Sequence, residues 1–247
     1  MRSAPILVIG PQRTGSTLVG RLFADADGSA FTVNGKLILY LLAFLPARNF
    51  ADWSRHVRLD EIGWLLRRKP VLSPHAGFVD TVVREGAAIV AAMQPSGPTD
   101  RNAFIAELLR RIYCAWRPEA VFWGDKYNEY TLMLDDVADL FPDARFVFTR
   151  RLSKDAARSA SAAFADRGWQ PQALDDAVAK VEDWDGHIDA FRRARPDCAT
   201  TIVQYGDLLD RPVAVLRALE DFTGVTGLVR QADRVGNRLR DAAMTAS

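Results

Sequence analysis

Cysteine, net charge and long apolar runs are all in short supply in this chain, and each shortage excludes something. The two cysteines, Cys114 and Cys198, stand far apart without metal-ligand spacing, so neither a disulfide scaffold nor a metal cluster is expected. So few thiols in 247 residues suit a reducing cytoplasm, and a soluble cytoplasmic protein is the expectation. A formal net charge of +1 offers no global field toward nucleic acid or an anionic membrane, so no partner of either kind is expected. Any anionic ligand must then be met by cations grouped locally. The apolar run Leu37 to Leu45 has only nine residues, too few to span a bilayer. Arg2 leads into a short apolar strand rather than the long apolar stretch of a secretion signal. No repeat, low-complexity tract or linker divides the chain, and 49% hydrophobic content supports one substantial core, so residues 1–247 are read as one domain.

What is present has α/β rhythm at both ends. Pro5-Ile-Leu-Val-Ile9 is a continuous apolar run suited to a buried parallel strand, and after Gly10-Pro11 a helical pattern puts Leu18, Leu22 and Phe23 on one face. From about 25 to 117 the text reads as helical and irregular, punctuated by Pro46, Pro70, Pro74, Pro95 and Pro98 and rich in aromatics. Strand and helix then alternate: a strand at Val121 to Trp123, a helix at Thr131 to Leu140, a strand at Ala144 to Thr149 and a helix from Ser153. A long amphipathic helix over Ala173 to Arg195, a strand at Thr200 to Gln204 and a helix at Pro212 to Phe222 complete it. That order predicts an α/β three-layer fold, with a central parallel sheet and helices on both faces.

Two places carry anion chemistry. Gly10-Pro-Gln-Arg-Thr-Gly15-Ser16-Thr17 keeps the frame of the phosphate loop G-x-x-x-x-G-K-S/T, but Ser16 occupies the lysine position. A loop between strand and helix turns backbone N–H groups inward, and the helix N-terminus adds partial positive charge. Gly15 allows close approach, while Thr14, Ser16 and Thr17 supply hydroxyls. A nucleoside triphosphate would want the missing lysine and an acidic strand end for Mg²⁺. Arg13 brings a fixed guanidinium instead, which suits a sulfate or phosphate held without metal. The second place is the end of the strand Phe146 to Thr149, where Arg150-Arg151 precede a helix expected to be capped by Ser153. Ligands of open α/β sheets sit at the carboxyl ends of strands, so two arginines there make a phosphate pocket.

These residues resemble the sulfotransferase family. Pro5 to Phe23 (PILVIGPQRTGSTLVGRLF) is similar to its 5′-phosphosulfate loop, and Arg151-Leu-Ser-Lys-Asp155 with Ser159 is similar to its 3′-phosphate motif, with Ser153 in place of the usual proline. Gly124-Asp125-Lys126, Phe141-Pro142-Asp143-Ala144 and Tyr205-Gly-Asp207-Leu-Leu209 also look like family text. The resemblance covers about 1–23 and 120–224. It implies a P-loop fold in which Arg13, Thr14, Gly15, Ser16 and Thr17 hold the 5′-phosphosulfate of 3′-phosphoadenosine 5′-phosphosulfate (PAPS). Arg151 and Ser159 would hold its 3′-phosphate, and the product would be 3′,5′-adenosine bisphosphate (PAP), with no metal. Arg234, Gly236 and Asn237 would be a counterpart of a late basic loop over the nucleotide.

Sulfuryl transfer builds charge on the leaving oxygen, so cations should carry most of the catalysis. Arg13 is the first candidate and Lys126 the second. An alcohol acceptor also needs a base, yet Asn128 stands where many relatives carry histidine, and Thr32-Val-Asn34-Gly-Lys36 lacks the glutamate of others. Asp125, Glu129, His75, His56 and Glu61 remain as candidates; His187 is assigned no role. The segment 25–117 is expected to bind a small apolar or amphipathic acceptor, since Arg67-Arg68-Lys69 is too small a cluster for a polyanion. A P-loop phosphotransferase and a nucleotide-binding relative without catalysis are the competing readings.

Overall fold

The computed structural model describes residues 4–44, 59–68, 76–93, 100–163, 171 and 173–236. Five strands, β1 (Ile6–Ile9), β2 (Ser29–Val33), β3 (Phe122–Lys126), β4 (Arg145–Arg150) and β5 (Ala199–Gln204), form one sheet in the order β2-β3-β1-β4-β5. Every neighbouring pair is parallel, with Val8 opposite Lys126 on one side and Val147 on the other. β1 therefore lies at the centre, and the loop that follows it opens midway along the sheet's carboxyl edge.

Helices cover both faces because successive strand residues point to opposite sides. Leu7 and Ile9 join a core with α3 (Leu59–Arg68), α4 (Ala76–Met93), α5 (Arg101–Trp116), α6 (Leu134–Leu140) and α8 (Leu174–Ala194); α2 (Leu37–Phe44) belongs to the same side. Ile6 and Val8 join the other core, with α1 (Ser16–Ala24), α9 (Tyr205–Asp210) and α10 (Pro212–Thr223). Each buried aliphatic side chain contributes about 1.5–3 kcal/mol, so the continuous apolar reading of β1 is what double coverage requires. α7 (Ser153–Ala163) buries Ala156, Ala157 and Ala160 and packs along α8.

Three expectations need correction. The stretch taken as helical and irregular from residue 25 contains β2, an edge strand with Ala30, Phe31, Thr32 and Val33 all buried. The strand expected at Val121 to Trp123 begins one residue later and runs on to Lys126, so Gly124, Asp125 and Lys126 are buried strand residues. The helix expected from Thr131 opens as a 3₁₀ turn, Asn128–Met133, and becomes α-helical at Leu134. Among the described residues no helix is long and apolar enough to cross a membrane. Both cysteines are free thiols.

Candidate active site

The loop after β1 owes its shape to two left-handed residues. Arg13 (φ 69°) and Gly15 (φ 93°) flank Thr14, and a Cβ on Gly15 would come within 2.5 Å of the Tyr205 ring. Gly15 thus serves both the backbone turn and the close approach of α9. Thr14 departs from its expected role: its hydroxyl is buried, donating to Pro11 O (2.7 Å) and sharing a hydrogen bond with Thr149 Oγ1 (2.8 Å). It ties the loop to β4 rather than facing a ligand. Ser16, also buried, accepts a hydrogen bond from Asn128 Nδ2 (3.0 Å), while Thr17 is half-buried at the start of α1.

The second cradle lies directly beside the first, because β4 pairs with β1. Arg13 Nε donates to Ser159 Oγ (3.0 Å) on α7, and Arg151 Nη1 lies 3.5 Å from the carbonyl oxygen of Arg13. The Arg151 guanidinium rests 4.8 Å from the centre of the Tyr205 ring, a cation–π contact that orients it. Arg150 does not share this pocket. Its Nη2 is 2.7 Å from Asp189 Oδ1 and its Nε 3.3 Å from Asp185 Oδ1, so it clamps α8. Ser153 does not cap α7 either: the first helical bonds of α7 run to Leu152 O, and the Ser153 hydroxyl donates to Glu182 on α8 (3.0 Å).

On the other side of β1, the end of β3 carries Lys126, only 2% exposed, with its ammonium donating to Asn34 Oδ1 (3.2 Å) and to Asn128 Oδ1. Neither partner is charged. Burial therefore dominates and pushes its pKa down to about 8, although the fields of Glu129 and Asp125 pull it upward. The stem runs under α1, where a Cβ on Gly20 would come within 2.9 Å of Lys126 Cβ. Asn128 Nδ2 donates to Gly10 O and Ser16 Oγ, so its side chain is a strut between the lysine and the loop.

Asp125 is the residue that looked most like a base and is least available. Its carboxylate receives Thr32 Oγ1 (2.7 Å), Gly35 N (2.9 Å), Lys36 N (3.1 Å) and Tyr130 Oη (2.8 Å). Burial raises its pKa, and the hydrogen bonds from Thr32 and Tyr130 work against that. With four donors around it, Asp125 holds the turn Asn34-Gly35-Lys36 in place. In that turn Asn34 and Lys36 adopt positive φ (66° and 60°). Glu129, next to the strut, is half-buried, and its charge adds to burial in raising the pKa of the Tyr127 phenol.

Several candidates are not brought to the loop. Arg234 pairs with Asp25 (2.7 Å) at the far end of α1, one helix length or roughly 13 Å from Gly15; Gly236 follows it. Glu61 lies exposed on α3, and His187 faces Asp183 (3.7 Å) on the outside of α8. Arg67 pairs with Asp80 and Arg68 stacks on Trp64, while Lys69 lies outside the described residues. His56, His75 and Asn237 lie outside the described residues. Sequence reasoning gave no role to Tyr205, Asn34 or Thr149. Tyr205 stood in text quoted for its resemblance; the other two carried no local signal.

A parallel sheet with a phosphate loop after its central strand, and an arginine beyond the end of the adjoining strand, is the P-loop α/β fold. The family model described as the sulfotransferase family matches residues 5–228. The chain belongs to the sulfotransferase family and is a sulfotransferase. Among solved structures, a sulfotransferase domain from the curacin biosynthetic pathway is similar at 14% identity and TM-score 0.55, over 94% of this chain and 78% of its own. Sulfotransferase STF9 from Mycobacterium avium is similar at 17% identity and TM-score 0.51, over 98% and 69%. A sulfotransferase from Alicyclobacillus acidocaldarius is similar at 12% identity and TM-score 0.50, over 92% and 83%. At such identities the likeness is one of fold. A comparison with curated proteins finds no match.

Proposed function

We propose that the protein transfers the sulfuryl group of PAPS to a hydroxyl or amine of a small, apolar or amphipathic acceptor. The observation that carries this is the direct contact between the two cradles, Arg13 to Ser159 and Arg151 to the Arg13 carbonyl. Contacts of that kind suit one ligand with anionic groups at both ends of a nucleoside. The inward amides after β1, with Gly15 and Ser16, fit the 5′-phosphosulfate; Arg151 and Ser159 fit the 3′-phosphate.

The order of the sheet gives the site a direction. Arg151 is at β4, the loop at β1, and Lys126 at β3, so a nucleotide lying from β4 to β1 presents its reacting end toward β3 and β2. Lys126 then carries the charge that develops on the leaving oxygen, and Arg13, drawn toward Ser159, serves both phosphates. The acceptor would lie around Asn34, which holds Lys126, and Lys36, whose ammonium sits 5.3 Å from the centre of the Tyr127 ring. Of the aromatics expected there, Phe31 and Phe78 belong to the core, while Tyr40 is half-buried.

Calorimetric titration in EDTA, and again with Mg²⁺, tests the donor. PAP should bind without metal and ATP weakly or not at all. Tight binding of ATP that depends on Mg²⁺, with none of PAP, would instead make the protein a phosphotransferase.

A further inference from the structure

A lysine ammonium carries three N–H donors on a freely rotating end. At Lys126 two of them are taken, by Asn34 Oδ1 (3.2 Å) and by Asn128 Oδ1. Among the described residues nothing accepts the third, although Lys126 is only 2% exposed. A donor left over at so deep a position calls for a ligand atom. The stem is confined as well, since α1 closes on it at Gly20, where an added Cβ would come within 2.9 Å of Lys126 Cβ.

The two acceptors are anchored independently. Asn128 Nδ2 donates to Gly10 O and Ser16 Oγ, which ties that arm to the loop of β1. A carbonyl oxygen only accepts, so the Asn128 amide has to face Lys126 with its own oxygen. The other arm comes from the end of β2. Val33 lies opposite Lys126 in the sheet, and Asn34 N donates to Lys126 O (2.6 Å). Asn34 then turns the chain with a left-handed φ of 66°, a conformation that asparagine tolerates better than most residues. Asp125 holds the turn from below through Gly35 N (2.9 Å) and Lys36 N (3.1 Å). Both amide oxygens are thus fixed by the sheet and its loops.

Resting on the sulfotransferase reading above, we propose that Asn34 is a positioning residue for sulfuryl transfer. Together with Asn128 it clamps the Lys126 ammonium so that a single N–H, in one fixed direction, is left for the leaving 5′-phosphate oxygen. Lys126 keeps its proton: it meets the electron pair left on that oxygen with a hydrogen bond and transfers nothing. A donor aimed before the reaction begins needs no reorganisation as charge develops, and this is where such a group gains its effect. Asn34 touches neither donor nor acceptor in this scheme and acts through the lysine alone.

The test follows the Lys126 ammonium by NMR in protein carrying isotopically labelled lysine, under mildly acidic conditions, with its signal identified by its loss in Lys126→Met. In the parent, PAP should move that signal, because the remaining N–H meets a 5′-phosphate oxygen. Asn34→Gly keeps the left-handed backbone and deletes only the side chain. Its Lys126 protons should exchange with water roughly tenfold faster, while PAP affinity, measured calorimetrically, changes by less than about threefold. Release of PAP from PAPS, with phenol or water as acceptor, should show a kcat lower by roughly tenfold or more. In the Lys126→Met background Asn34→Gly should cost nothing further, because the group it positions is gone. Asn34→Asp, which keeps an acceptor oxygen and tolerates the same backbone, should restore slow exchange. Parent exchange and parent kcat in Asn34→Gly would reduce Asn34 to a turn residue and overturn the assignment. So would an undiminished loss in the Lys126→Met background, or a Lys126 signal that PAP leaves unmoved in a parent that binds it. A parent that does not bind PAP would instead sink the donor reading on which the proposal rests.

Discussion

Arg13 and Ser159, 146 residues apart in sequence, meet at 3.0 Å through the arginine Nε and the serine Oγ. The contact joins the loop of β1 to the helix that follows β4. Ser159→Ala should therefore weaken PAP while leaving adenosine 5′-monophosphate nearly unchanged. A hydrogen bond to a charged group contributes about 1.5 kcal/mol or more, so roughly a tenfold loss is expected for PAP. Calorimetry with the two nucleotides checks it.

Lys126 should impose an upper pH limit on catalysis. Burial depresses its pKa to about 8, so in the free enzyme its charge is lost as pH rises through that value. The kcat/KM for PAPS should fall above about pH 8, and Lys126→Arg, which keeps its charge, should extend the plateau at lower overall activity. The stability sign is opposite. A lysine whose folded pKa lies below its unfolded value costs stability while charged, and that cost is relieved as pH rises from about 8 toward 10.5. Thermal melts of parent and Lys126→Met across that window should converge as pH rises.

Gly20 sits against the stem of Lys126, and an added Cβ would lie 2.9 Å from Lys126 Cβ. Gly20→Ala should displace the lysine and lower turnover more than PAP affinity. Overpacking of this kind costs about 1–3 kcal/mol, so the melting temperature should also drop by a few degrees.

Asp125 should behave as a structural residue. Asp125→Ala leaves the donors of Thr32, Tyr130, Gly35 and Lys36 without their shared acceptor. Leaving buried groups unpaired costs about 1–3 kcal/mol each before relaxation. A chemical denaturation curve should show a loss of about 3 kcal/mol or more. Stability equal to the parent would show that this network is not held together by Asp125.

The loop and the sheet edge were legible because their signals are local. An apolar run, a Gly-rich turn and a helical stripe determine β1, the loop and α1 within twenty residues, and the arginine following β4 could be read the same way. What escaped depends on partners distant in sequence. Gly124, Asp125 and Lys126 look like a polar loop, yet they are a buried strand because Thr32, Tyr130, Asn34 and Asn128 satisfy their polar atoms. β2 was missed for the same reason: Thr32 reads as polar until its bond to Asp125 is seen. Arg150 and Arg151 read as a pair, but adjacent residues leave a strand in opposite directions, one to α8 and one to the loop.

The claim on which the rest depends is that the loop of β1 and Arg151 grip a single nucleotide by its two ends. Affinities for PAP, adenosine 5′-monophosphate and adenosine 3′-monophosphate, in the parent and in Arg151→Ala, test it most directly. PAP should bind the parent at least about 100-fold more tightly than either monophosphate, a difference of roughly 2.7 kcal/mol, and Arg151→Ala should reduce PAP to the level of the 5′-monophosphate. Equal affinity of the parent for PAP and the 5′-monophosphate would contradict it.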